Sequence, residues 1–219
     1  AINMPSITAE EAKVMGPWIA LAGHLGSFAG QMTDEPIKAI NILHDGVAAG
    51  MNIEALNCAA IAGVLKEANP AINMVSAPIV AKERGIAMST TTQGKSGAFD
   101  GYIKLTVVTE TRERSIAGTV FSDGKPRFIQ IKGINIDAEI GEHMLYTTNK
   151  DVPGIIGALG ATMGAHGVNI ANFTLGRTGP GENAIAILYL DDPIPQVVID
   201  ELKATGLFQQ VRPLEFEVG

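Results

Sequence analysis

A chain of 219 residues with 46% hydrophobic and 18% charged side chains has apolar material for one large or two small globular cores. Its formal charge of −7, with Lys and Arg scattered and the densest basic group the short "TRERS" at 111–115, excludes a counterion-releasing footprint for nucleic acid. A single cysteine, Cys58, excludes an internal disulfide and any multi-cysteine metal site, and no apolar run reaches the ~18–20 residues of a membrane span.

No signal peptide is visible, so a soluble cytoplasmic protein is expected. Residues 1–7, "AINMPSI", read as an extended linker entering a domain, as in the tail of a longer chain. Thr8 and Glu11 then have the spacing of a capping box, opening an amphipathic helix to about Thr33 with a restart or kink expected at Pro17. "PIKAINILHDG" alternates apolar and polar residues and ends on Asp-Gly, a strand signal. An Ala-rich helix follows from about Ile53 to Ala68, with Cys58 read as a buried structural thiol. A shorter helix, "SAPIVAKERG", stops at Gly85 with Lys82 and Arg84 in its last turn. From there the period is two: "GIAMSTTTQ", "YIKLTVVTE", "SIAGTVFS" and "RFIQIKGINID" predict an antiparallel meander. Residues 8–141 are therefore expected to form an α+β domain with a largely antiparallel sheet.

The pattern restarts near residue 142. Strand "HMLYTTN", helix "PGIIGALGATMGAHG", strands "NIANFTLGR" and "AIAILYL", helix "IPQVVIDELKAT" and strand "VRPLEFE" give β-α-β-β-α-β over 142–219, the ferredoxin-like arrangement.

Catalytic signatures are missing. There is no glycine-rich dinucleotide loop, P-loop, G-x-S-x-G or H-E-x-x-H, and the four histidines fall in four elements without ligand spacing. No catalytic residue and no metal ligand set is assigned. One stretch stands out, "NKDVPGIIG" at 149–157. With Pro153 in the first helical turn, free N–H donors and the positive dipole end would lie beside Asp151 and Asn149, offering partners for both charges of an amino acid. Asn169 begins the next strand, and the three side chains are expected to cluster at one end of the sheet. Glycines 157, 160 and 164 give the helix a smooth face. By spacing alone, a plain helix start and an amino-acid site are both open readings.

"NKDVPGIIG…GVNIANFTLGR" resembles an ACT domain, the βαββαβ module that binds amino acids. "NMPSITAEEA", "VSAPIVAKERGI" and "RSIAGTVFSDGKPRFIQIKG" resemble the intervening, allosteric substrate-binding domain of long-type D-3-phosphoglycerate dehydrogenases. The resemblance covers essentially the whole chain and implies the C-terminal regulatory region of that enzyme, whose catalytic and NAD-binding domains precede it. No cofactor is implied for this chain itself. It further implies L-serine as feedback effector, bound between paired ACT domains of a homo-oligomer. Asp151 would take the ammonium, Asn169 the other polar atoms, and backbone N–H groups near Val152 further contacts. Asn149 stands where relatives use residues such as Tyr or His. In some relatives the intervening domain binds an anion, for which Arg127 and Lys132 are the matching cations, whereas Ile134 and Glu139 replace arginines. Two other classes are weighed: a subunit of an iron–sulfur L-serine dehydratase, which Cys58 alone could not equip with a cluster, and a structural oligomerisation module without an effector site.

Overall fold

In the computed structural model, residues 8–218 are described; the linker reading of residues 1–7 lies outside them. Thr8 caps α1 (Ala9–Gln31) as expected: its hydroxyl accepts from the Glu11 N–H at 3.2 Å, and its own N–H donates to the Glu11 carboxylate at 2.9 Å. The helix is continuous through Pro17, so it does not restart there. Proline costs a helix one N–H and a clash with the preceding turn, and here that local cost is overridden by packing further along.

That packing is against α2 (Ile53–Lys66), which is reached through β1 (Ala39–Gly46) and a short 3-10 turn (Val47–Gly50). The two helices meet backbone to backbone. A Cβ on Gly26 would lie 2.1 Å from the Ala60 carbonyl oxygen, and one on Gly63 would lie 2.3 Å from that of Gly23.

Next come α3 (Ala77–Glu83), β2 (Ala87–Gln93), β3 (Gly101–Val108), β4 (Glu113–Val120) and β5 (Pro126–Ile131). Within this unit the strand order is β2-β1-β3-β4-β5. Strands β3 to β5 pair antiparallel as predicted, but β2 does not join them. It lies parallel to β1, with Ala39 opposite Ala87 and Asp45 opposite Gln93, because the excursion through α2 and α3 is a crossover long enough for parallel pairing. Helix α1 covers one face of the sheet, where Leu21 and Leu25 press on Gly118 and Phe28 meets Phe128 edge to face at 5.5 Å.

The chain divides into two compact units between Gly133 and Ile134. The predicted strand "RFIQIKGINID" breaks at the same place: Lys132 (φ 49°) and Gly133 (φ 77°) both adopt the left-handed conformation of a tight turn. Beyond it lie β6 (Ile134–Glu139), β7 (His143–Lys150), α4 (Ile155–Ala165), β8 (Ile170–Arg177), β9 (Asn183–Leu190), α5 (Gln196–Ala204) and β10 (Phe208–Glu215). The break precedes residue 141 because β6 lies against β8: the Thr174 hydroxyl donates to the Asp137 carbonyl at 3.0 Å.

The four-stranded sheet has the order β10-β7-β9-β8 with every pair antiparallel, the ferredoxin-like topology expected. Leu145, Leu188 and Val211 of the sheet pack with Leu159, Met163, Val198 and Leu202 of the two helices in one core. With its two sheets the chain is α+β.

Candidate functional site

The turn between β7 and α4 is built from backbone bonds. The Asp151 N–H donates to the Glu182 carbonyl at 2.8 Å, and the Gly181 N–H donates back to the Asp151 carbonyl at 3.0 Å. The Val152 N–H, expected to serve a ligand, donates to the Lys150 carbonyl at 2.9 Å. Gly154, with φ 97°, is the N-cap of α4, so Pro153 lies before the helix rather than in its first turn. A left-handed cap lets the chain enter the helix sharply, and glycine adopts it without a Cβ penalty.

Three polar residues, Asn149, Asp151 and Arg177, lie at this end of the sheet. Asn149 is 1% exposed; its Nδ2 donates to the Lys150 carbonyl at 2.6 Å, while its buried Oδ1 has no hydrogen-bond partner among the described residues. Asp151 accepts from Arg177 Nη1 at 2.6 Å. Arg177 was not singled out from sequence, yet register puts it here: both Asn149 and Arg177 stand opposite Ala184.

Asn169 does not join them, which corrects the expected cluster. Strands β7 and β8 are both antiparallel to β9, so the start of β8 lies level with the start of β7, at the Leu190 end of β9. There the Asn169 amide donates to Asp191 Oδ2 at 2.5 Å. Eight residue steps, roughly 26 Å of strand, separate it from Arg177.

Two surfaces of this domain are open. Strand β8 ends the sheet order, with Leu175 exposed. Gly157, Gly160 and Gly164 of α4 are exposed, and a Cβ on any of them would meet nothing within 4 Å among the described residues. Ile156 and Val152, beside them in sequence, are exposed apolar side chains.

The expected cations of the intervening domain do not converge. Arg127, at the start of β5, lies with its guanidinium 4.9 Å from the Phe121 ring centroid and 3.7 Å from the Asp123 carboxylate. Lys132 follows the other end of that strand, where burial lowers its pKa and the charges of Arg114 and Arg112 lower it further. Arg112 and Arg114 also line a cavity of about 130 Å³ with Asp34 and Glu35, so these cations share their corner with carboxylates. The Glu35 carboxylate accepts from the Thr111 and Thr109 hydroxyls, each at 2.7 Å, which holds its pKa below the usual carboxylate value.

Elsewhere in the first unit His44 is fully buried, with Nε2 2.9 Å from Asn57 Oδ1, and Asn57 Nδ2 donates to the Thr90 hydroxyl at 2.9 Å. Burial depresses the His44 pKa, partly opposed by the Asn57 contact. Cys58 is partly exposed rather than buried. It lines a cavity of about 540 Å³ with Ile40, Ile53 and Met88, and burial and the Glu54 charge raise its thiol pKa. Among the described residues no group of three or more His, Cys, Asp or Glu converges as a metal site, and no helix is long and apolar enough to cross a membrane.

A βαββαβ sheet with an edge strand and a polar rim after its first strand, preceded by a helix-covered mixed sheet, defines a two-domain α+β chain. The family model for the D-3-phosphoglycerate dehydrogenase intervening domain matches residues 14–132, and that for the ACT domain matches residues 143–206. The chain belongs to the D-3-phosphoglycerate dehydrogenase intervening-domain family and carries an ACT domain after it. It is 33% identical over 210 residues to a D-3-phosphoglycerate dehydrogenase of Synechocystis sp., covering 94% of this chain and 38% of the relative. It is 30% identical over 203 residues to that of Bacillus subtilis, covering 92% and 39%. The enzyme of Methanocaldococcus jannaschii is 31% identical over 205 residues, covering 92% and 38%. The chain thus spans less than two fifths of the length of these relatives, and corresponds to their C-terminal part.

Proposed function

We propose that residues 8–218 form the amino-acid-sensing, oligomerising part of a D-3-phosphoglycerate dehydrogenase that works in the cytoplasm, with L-serine as feedback effector. In this reading NAD and the hydride transfer belong to the portion of the dehydrogenase outside these 219 residues. The observation that carries it is the end of β7: a buried Asn149 with an unsatisfied Oδ1 lies two residues before Asp151, whose carboxylate accepts from Arg177. A buried acceptor left without a donor costs about 1–3 kcal/mol, and a ligand ammonium or hydroxyl would relieve that cost.

The separation of Asn169 from Asp151 supports an assembly rather than opposing a site. Strand β8 is an edge, and two such edges pairing antiparallel bring the start of one against the end of the other. Asn169 of the partner subunit then reaches the Asp151 end, and one serine is held by two chains. Ligand and partner are thereby coupled, which is what an allosteric effector requires. Serine, with about seven non-hydrogen atoms, can reach micromolar to millimolar affinity in such a site.

Calorimetric titration of L-serine into the chain is the test. We expect saturable heat in the parent and none in Asp151→Ala. Absence of heat in the parent, or equal heat in both, overturns the reading.

A further inference from the structure

Strand β7 carries a second buried polar group next to Asn149. Thr147 is fully buried, and its Oγ1, like Asn149 Oδ1, has no hydrogen-bond partner among the described residues. The two side chains stand on one face of the sheet, because alternate residues of a strand point the same way. Leu145 continues that face, and it packs in the core with Leu159 of α4 and Val198 of α5. Across the ladder only methyl groups flank the pair: Ala184 stands opposite Asn149 and Ala186 opposite Thr147, before Leu188 and Leu190 occupy the rest of that face of β9. Elsewhere in the chain a buried threonine finds an acceptor, as Thr119 of β4 does by donating to the Gly101 carbonyl at 2.6 Å. An unpaired buried hydroxyl weakens the fold, whereas valine has the same branched shape and leaves nothing unpaired. The hydroxyl of Thr147 therefore adds nothing to the packing of the free chain.

We infer that Thr147 is a specificity-determining residue: its Oγ1 bonds the side-chain hydroxyl of the effector, so the site selects a β-hydroxy amino acid over alanine. The inference rests on the amino-acid-binding reading of the β7 end given above. Positions two apart on a strand are separated by about 7 Å. With a hydrogen bond of about 2.9 Å at each end, one small molecule carrying two polar groups bridges that gap. In serine these are the ammonium, which donates to Asn149 Oδ1, and the hydroxyl one carbon beyond Cα, which reaches Thr147. A hydroxyl both donates and accepts, so either polarity of the second bond is open to the pair. Alanine satisfies Asn149 and leaves Thr147 unpaired, which is how a site built to bond a hydroxyl rejects the analogue lacking one.

Paired calorimetric titrations of L-serine and L-alanine into the full chain test it. The parent should bind serine roughly tenfold more tightly than alanine. Thr147→Val should weaken serine by roughly the same factor and leave alanine unchanged, so that the two ligands bind alike. Without ligand, this variant should melt no lower than the parent, because it removes an unpaired hydroxyl. Thr147→Ser, which keeps the hydroxyl, should keep the preference for serine. A parent that gives no heat with serine overturns the amino-acid reading and this inference with it. A parent that binds serine, with Thr147→Val retaining the preference or losing both ligands together, overturns the inference alone. So does a ligand-free Thr147→Val chain that melts well below the parent, since the hydroxyl would then serve the fold.

Discussion

Arg177 is clamped on Asp151, 26 residues away, with Nη1 2.6 Å from the carboxylate. The ion pair occupies the carboxylate that the ammonium of an amino acid would use. Arg177 is half exposed, and pairs of that kind are worth about 0–1 kcal/mol. An incoming ammonium would therefore displace the guanidinium at little cost. Arg177→Ala is expected to tighten L-serine binding by no more than about fivefold, the factor equivalent to 1 kcal/mol. Calorimetry at low and high salt reads it; a large loss of affinity would instead make Arg177 a ligand for the serine carboxylate.

A site shared between chains predicts complementation. Asp151→Ala and Asn169→Ala should each lose serine heat alone. After subunit exchange, half of the dimers are mixed and one of their two sites is intact. The mixture should recover about a quarter of the parent's capacity. No recovery would place both residues' effects within one chain.

Glycine 160 gives opposite expectations for one chain and for a pair. In an isolated helix Gly160→Ala stabilises by about 1 kcal/mol, and no described atom obstructs the added methyl. If a second chain closes on that face, the same methyl weakens association. Thermal melting at low concentration should rise while the sedimentation-derived dissociation constant increases.

Acid should act in two stages. The His44 pKa is depressed by burial, so below about pH 6.5 the unfolded chain binds a proton that the native chain refuses, and stability falls as pH drops. Glu35 has its pKa lowered by the Thr111 and Thr109 hydroxyls. Its contribution is complete above the unfolded carboxylate value, near pH 4.3, and is lost as pH falls through the native value. Urea midpoints between pH 3 and 8 should show both limbs. His44→Gln should flatten the upper limb and Glu35→Gln the lower.

Two glycines of α1 should behave oppositely. Gly16 has open space around it, and Gly16→Ala is expected to stabilise by about 0.5–1 kcal/mol. Gly26→Ala drives a methyl into the Ala60 carbonyl and should cost about 1–3 kcal/mol or more. Denaturant unfolding of the two variants checks the contrast.

Much of this architecture was legible because it is local. The capping box at Thr8, the period-two runs and the βαββαβ order follow from neighbours a few residues apart. What was missed depends on distant pairing. The parallel partner of β2 is β1, with two helices between them, and nothing in "AMSTTTQ" encodes that choice. Lys132 takes a conformation more usual for Asn or Gly, so Gly133 was the sole local signal of the turn splitting β5 from β6. Arg177 reaches Asp151 through a register relayed by Ala184, and the same antiparallel geometry carries Asn169 to the far end of the sheet.

The close approach of α1 and α2 has a consequence for motion. Where Gly26 and Gly63 let backbone touch backbone, no side chain can rotate aside, and neither helix can slip alone at this contact. Amide protons around these positions should exchange with solvent at the rate of global unfolding. Those of α3 and the outward amides of β2 should exchange through smaller openings. The pair of helices is then the last part of its unit to open.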